Sequence, residues 1–262
     1  MRAQMNANVF LLPLVLIVGV TVPGCARLRY HDPPPFARTA PVVLPDSNVR
    51  LTPEQLLQAA AAQPIAPFGP ANWQDLFDGK SLGAWRETKF DQGGSVGVTN
   101  GLLVLRRGQP FVGVNYTKEI PKVNYEVVLE AMRVAGEDFF CGLTFPVQDA
   151  WCSLIIGGWG GGIVGLSNVD GGDASENETT KYISFETGRW YRIRLRVTEQ
   201  RIEAWIEQKK VVDLVTTGRK LEVRFGEIML SRPFGLAAWD TSAAYRAIKI
   251  RPVSEPADAP QY

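Results

Sequence analysis

The residues best suited to chemistry crowd into one stretch, residues 157–180, which reads GGWGGGIVGLSNVDGGDASENETT. Glycines at 157, 158, 160, 161 and 162 surround Trp159, and Asp170, Asp173, Ser175, Glu176, Asn177 and Glu178 follow closely. Glycine strips bulk from a sheet face and lets a ligand approach the backbone. An indole beside such a face offers an apolar plate to the C–H side of a sugar ring, while carboxylates and amides bond the hydroxyls. Trp159, Gly160, Gly161 and Asn177 are therefore candidate sugar-binding residues. Asp170, Asp173, Glu176 and Glu178 are the candidate proton-transfer groups. A structural reading stands beside this one: the glycines let a strand bend, Trp159 covers core, and the acids form a solvated loop.

Two other ligand classes can be weighed on the same residues. A phosphate loop is excluded, because no helix pattern follows the glycines and no Lys-Ser/Thr pair closes a cradle. Calcium remains a candidate through the clustered hard oxygens, although their spacing is not the twelve-residue EF-hand pattern; no other cofactor is indicated. Elsewhere, Lys181 and Arg232 offer cations for a developing negative charge, and Trp239 offers a second plate. Glu130 suits either a ligand hydroxyl or an arginine on a neighbouring strand. Trp85, Trp190, Trp205 and Trp239 also fit core positions.

Short strands must position these groups. In NYEVVLEAMRV, Tyr125, Val127, Leu129 and Ala131 share one face; in WYRIRLRV, Tyr191, Ile193, Leu195 and Val197 alternate with Arg192, Arg194 and Arg196. The three arginines are expected on a wet face, paired with Glu203 or Glu207 across a hairpin. Further period-two runs between Trp73 and Val253, separated by turn residues, predict an all-β, antiparallel two-sheet sandwich over residues 72–254. Cys141 and Cys152 lie on adjacent strand-like runs, and two readings stay open: a disulfide across a hairpin, or two buried thiols.

The 28 Lys and Arg nearly balance the 27 Asp and Glu, and no basic run interleaved with aromatics occurs, so nucleic acid is not an expected partner. The sole histidine, His31, precedes the strands, which excludes imidazole chemistry in the sandwich. Residues 1–24 have the layout of an export signal, and Val22-Pro23-Gly24-Cys25 resembles the bacterial lipobox. The expectation is an exported lipoprotein held on a membrane through lipid on Cys25. Proline-rich residues 25–71 are expected to be a tether with a short helix near 53–62, where Thr52 caps, Pro53 leads and Gln55 completes a capping box. Residues 255–262 are expected to form a disordered tail.

Three stretches carry a resemblance. LFDGKSLGAWRE (residues 76–87), GRWYRIRLRVTEQRIEAWIEQKKVVDL (188–214) and FGLAAWDTSAAYRAIKIRPV (234–253) resemble, in order and spacing, the 3-keto-disaccharide hydrolase family. The resemblance implies a concanavalin-like jelly roll acting on sugars oxidised at C3. The C3 carbonyl acidifies the C2 proton, a base removes it, and the enolate expels the C1 substituent before water adds. If the chain is active, the residues present offer one of Asp170, Asp173, Glu176 and Glu178 as the base, Trp159 as platform, and Arg232 or Lys181 as the electrostatic aid. The family's Tyr-Glu-x-Gln-x-x-Asp strand is absent, replaced by Asp138-Phe139-Phe140-Cys141-Gly142 and Trp151-Cys152-Ser153. Either the activity is lost or its polar groups have moved to residues 157–180. The alternatives are a noncatalytic glycan-binding or adhesion module of laminin-G type and a structural envelope protein.

Overall fold

The computed structural model describes residues 51–69 and 72–253. The expected signal segment, Cys25, His31, most of the tether and the expected tail lie outside these residues. Two antiparallel sheets form a sandwich. One sheet runs in the order β13 (Lys209–Val215), β12 (Arg201–Ile206), β11 (Trp190–Val197), β6 (Tyr125–Gly136), β15 (Thr241–Pro252), β4 (Leu102–Leu105) and β3 (Val96–Thr99), with β1 (Gln74–Asp75) also on β15. The other runs β10 (Lys181–Tyr182), β9 (Ile163–Ser167), β8 (Ala150–Gly157), β7 (Cys141–Val147), β14 (Gly235–Trp239), β5 (Phe111–Tyr116) and β2 (Trp85–Glu87). Alternation decides the core: Val127 and Leu129 of β6, Ile193 and Leu195 of β11, and Leu143, Phe145, Leu154 and Ile156 of β7 and β8 meet between the sheets.

Helix α1 (Pro53–Ala61) starts where its cap chemistry places it. Thr52 Oγ1 accepts from the Gln55 N–H at 3.3 Å and Gln55 Oε1 from the Thr52 N–H at 2.9 Å. Residues 51–69 are not a free spacer, which corrects the tether over that span. Leu56, Leu57 and Ala60 pack on Met132, Val134 and Trp190 across the outer face of the first sheet. The Trp190 indole donates to Ala60 O at 3.2 Å, Arg246 Nη1 to Gln63 O at 2.7 Å, and Arg192 Nη2 to Pro67 O at 2.8 Å.

This cover overturns the wet-face expectation. Arg192, Arg194 and Arg196 are buried, as are Glu126 and Glu130 on the next strand. Arg196 does pair with Glu203, at 3.4 Å, but its shorter contact, 2.6 Å, is to Glu126. Stacking completes the burial: the Arg192 guanidinium lies 4.2 Å from the Phe68 ring centroid and that of Arg194 3.6 Å from Trp205.

The structure decides the cysteine question for two thiols. Cys141 stands opposite Ile156 and Cys152 opposite Phe145, so the β7–β8 register offsets them along the hairpin, and both are free and buried. Burial pushes both thiols up, Cys152 to about 12 and Cys141 further. A thiol reagent at neutral pH is expected to leave both unlabelled in the native chain and to label both in denaturant, as read by intact mass. Rapid native labelling of either would contradict the burial.

Candidate functional site

The outer face of the second sheet is built of small residues in register. Ser167 faces Ser153 across β9–β8, Ser153 faces Thr144 across β8–β7, and Thr144 faces Gly235 of β14. The next row sets Gly165, Ile155, Gly142 and Ala237 side by side. Over much of this face the chain's own atoms take the room: a Cβ on Gly165 would fall 2.8 Å from Ala174 O, one on Gly235 2.6 Å from Ser231 O and one on Gly142 3.0 Å from the Phe139 ring. Around Ser153, Ile155 and Ser167 a hollow stays open. The resulting cleft holds about 500 Å³, within the range of small-molecule sites. Ser153, Ile155 and Ser167 form its floor, Phe111, Phe139 and Trp239 one wall, Trp159 and Arg224 another, and Phe225 to Ile228 overhang it.

Each wall has a local cause. Trp239 is 37% exposed and meets Phe111 edge-on, with ring centroids 4.6 Å apart; Phe111 in turn stacks on Phe90 at 4.8 Å. Trp159 is 42% exposed and sits on a single helical turn, α2 (Gly158–Gly161), in the left-handed region at φ 49°. Here the glycines have a definite task. A Cβ on Gly157 would fall 2.8 Å from Arg133 Nη2, and one on Gly161 2.7 Å from Glu137 O; both backbones have positive φ. The turn wraps the Arg133 guanidinium, which donates to Gly161 O at 3.0 Å, and Asp138 Oδ2 accepts from the Gly160 N–H at 3.0 Å. Burial lowers the Arg133 guanidinium from its ordinary value, with the Tyr191 hydroxyl and then Asp138 opposing.

Polar groups of the cleft are oriented in turn. The Ser153 and Thr144 hydroxyls bond at 2.8 Å, and the Ser167 hydroxyl donates to Asn168 Oδ1 at 2.9 Å. Arg224 lies over the Trp159 ring, 5.7 Å from its centroid, and pairs with Asp173 at 3.2 Å. Glu227 Oε1 accepts from the Asp91 N–H at 2.8 Å.

The structure thus brings Trp159, Gly160, Gly161 and Trp239 to one site, with Asp173 behind Arg224. The remaining candidates lie elsewhere. Asp170 accepts from the Lys220 N–H at 2.7 Å and from Arg219 Nε at 2.5 Å, and these bonds, the backbone one foremost, hold its carboxyl below the usual range. Glu178 pairs with the same Arg219. Glu176 and Lys181 are exposed. Asn177 staples its own loop, donating to Leu166 O, Gly172 O and Asp173 O while accepting from Thr179, which leaves its amide no hydroxyl to bind. Glu130 is fully buried on the far sheet against Arg246 at 2.6 Å, so a sugar-binding role is overturned; burial raises its carboxyl against the pull of Arg246. Arg232 lines a neighbouring cavity beside Trp151. Among the described residues, no three His, Cys, Asp or Glu side chains are grouped as metal ligands.

Sequence reasoning missed Asp138, Ser153, Ser167, Arg224, Phe225 and Glu227. The serines carried a signal: each interrupts an apolar strand at an outward position, in AWCSLII and IVGLS. Arg224 to Glu227 carried none, because their loop reaches the cleft only through the fold.

Known structures with a similar chain path include a carbohydrate binding module, CBM66, from Bacillus subtilis, at 12% identity and TM-score 0.47, covering 64% of this chain and 95% of that one. Another is the Crh5 transglycosylase in complex with NAG, at 12% identity and TM-score 0.46, covering 69% of this chain and 83% of that one. No curated protein matches the chain significantly. The family model of the 3-keto-alpha-glucoside-1,2-lyase-like domain matches residues 72–251, nearly the whole sandwich, and the chain belongs to that family.

Proposed function

We propose that the cleft seats a carbohydrate ring and that the domain is a carbohydrate-active protein. One observation carries the reading: two partly exposed tryptophans, Trp159 and Trp239, line the same cleft. Each indole presents an apolar surface on which the C–H face of a ring can stack, and Arg224 and Glu227 at the same cleft can bond its hydroxyls.

The finer reading is cleavage of a 3-keto-glycoside by elimination and hydration. Family membership favours it, and so do a cation and a carboxylate on the same overhanging loop. In this reading Glu227, steadied through the Asp91 N–H, removes the C2 proton. Arg224 faces the enolate oxygen, and the C1 substituent departs before water adds. Three of the acids of residues 170–178, Asp170, Asp173 and Glu178, serve the loop instead, through Arg219 and Arg224.

Binding and turnover are measured together, by titrating and incubating the chain with 3-keto-trehalose and with unoxidised glucosides. Trp159→Ala is expected to weaken ring binding at least about tenfold, an aromatic anchor being worth upwards of ~1.4 kcal/mol, with no change in thermal midpoint. Release of free 3-keto sugar supports the elimination. Binding without release leaves a glycan-binding module, and unaltered affinity in Trp159→Ala removes the site.

A further inference from the structure

We propose that Asp138 is a positioning residue: its carboxylate joins the two indole walls of the cleft and sets the distance between Trp159 and Trp239. What the cleft holds rests on the carbohydrate reading; how its walls are held does not. With that reading, Asp138 fixes the width of ring that the two plates accept.

Asp138 is half-buried in the turn between β6 and β7, on the wall of the cleft. Toward Trp239 this turn has a rigid base. The Trp239 N–H donates to Phe139 O at 3.1 Å, and the Asp138 N–H donates to Oγ1 of the buried Thr241 at 3.1 Å. Gly136, at the start of the turn, has φ 96°, and a Cβ there would collide with Asp240 O and Thr241, so the backbone is packed hard against the β14–β15 corner. Toward Trp159 the link is the side chain. Asp138 Oδ1 accepts from the Phe139 N–H at 2.7 Å, and Oδ2 accepts at 3.0 Å from the N–H of Gly160, the residue after Trp159. Hydrogen bonds therefore pass from the Trp239 amide through Phe139 and the Asp138 carboxylate to the Gly160 amide.

Trp159 needs such a hold. It stands at φ 49° and ψ 59°, and left-handed backbone at an aromatic residue persists only where its surroundings over-determine it. The turn α2 is gripped from outside at consecutive residues, Gly160 by Asp138 and Gly161 by Arg133. Arg133 Nη1 also reaches Phe185 O at 3.5 Å, between β10 and β11, so Arg133 ties the turn to that connection whereas Asp138 ties it to the Trp239 wall. A carboxylate suits the task because it accepts at both oxygens, and a bond from an N–H to a charged acceptor is roughly twice as strong as a neutral one. An amide in its place would present one acceptor and one donor, and could serve only one of the two N–H groups.

Two readouts on the full chain test this with Asp138→Ala and Asp138→Asn. Hydrogen exchange followed by mass spectrometry reads the turn without any ligand. The amides of residues 158–162 are expected to exchange at least about tenfold faster in Asp138→Ala, with a smaller rise in Asp138→Asn and no change in β11 and β12. Affinity for 3-keto-trehalose should fall about five- to tenfold in Asp138→Ala, and that loss should vanish when Trp159→Ala is already present, because a residue acting through Trp159 then has nothing left to hold. Unchanged exchange at residues 158–162 overturns the proposal. Where the wild type binds, so does unaltered affinity in Asp138→Ala, and so does a loss of the same size with and without Trp159, which would make Asp138 a direct ligand contact or a general prop of the fold. Absence of saturable binding in the wild type removes the carbohydrate reading alone, and the exchange rates still decide whether Asp138 holds the turn. Asp138→Asn, which keeps the shape and one acceptor, carries both readouts if Asp138→Ala fails to fold.

Discussion

Deleting residues 51–69 is expected to cost the sandwich most of its stability, although the sequence there reads as a spacer. Leu57 and Ala60 are almost wholly buried and Leu56 nearly so, against Met132, Val134 and Trp190 on the outer sheet face. Each leucine contributes about 1.5–3 kcal/mol by burial. Arg246 would lose the carbonyls of Ala60, Gln63 and Pro64, and Arg192 that of Pro67, at about 1.5–3 kcal/mol for each hydrogen bond to a charged group. Water would replace part of these contacts, which leaves a loss on the order of 5 kcal/mol, against a total of about 5–15 kcal/mol for an ordinary domain. Chains beginning at residues 51 and 70 should therefore differ widely in denaturant midpoint, with the shorter one prone to aggregate. Coincident midpoints would show that the helix merely rests on the sheet.

The second large effect is expected at Glu126→Gln. Glu126 is fully buried and accepts from Arg196 Nε at 2.7 Å and Nη2 at 2.6 Å through one oxygen, and from Arg251 Nε at 2.7 Å and Nη2 at 2.5 Å through the other. Arg194 Nη1 stands a further 3.7 Å away. Burial already lowers the Arg196 guanidinium from its ordinary value, with Glu203 opposing. A neutral amide would leave the cations without their shared counter-charge and point an N–H at one of them. Breaking such a buried pair from one side costs about 3–5 kcal/mol. Glu87→Gln, which breaks only the exposed pair with Lys89, should stay within about 1 kcal/mol. Urea melts of the two variants make the comparison, and equal midpoints would mean that the buried network holds nothing.

Both changes lie on the sheet opposite the cleft. Loss of sugar binding in either would report unfolding, whereas loss in Trp159→Ala at an unchanged midpoint would report the site itself. That separation matters because the strap must be present in any chain used to test the cleft.

Much of this protein could be read from residues in a line. Period-two alternation marked the strands and the inner face of each, since side-chain direction along a strand is a local property. Thr52, Pro53 and Gln55 marked the start of α1 for the same reason, and the family signatures at residues 76–87 and 234–253 fall on short consecutive stretches. Trp159 among glycines was legible as a special turn, though the glycines open room for Arg133 as much as for a ligand. Only the tertiary structure decided what covers each face and which charges meet. Alternation says that Arg192, Arg194 and Arg196 share a side, but whether that side is wet depends on what reaches it in space: a segment more than a hundred residues earlier folds back over Arg192, while Trp205 lies against Arg194 and Arg196. Likewise the acids after Trp159 looked free until Arg219 and Arg224 arrived from a later loop, and the cleft joins hydroxyls of two strands to that same loop. Burial and charge pairing are set by distance in space, which a chain order does not contain.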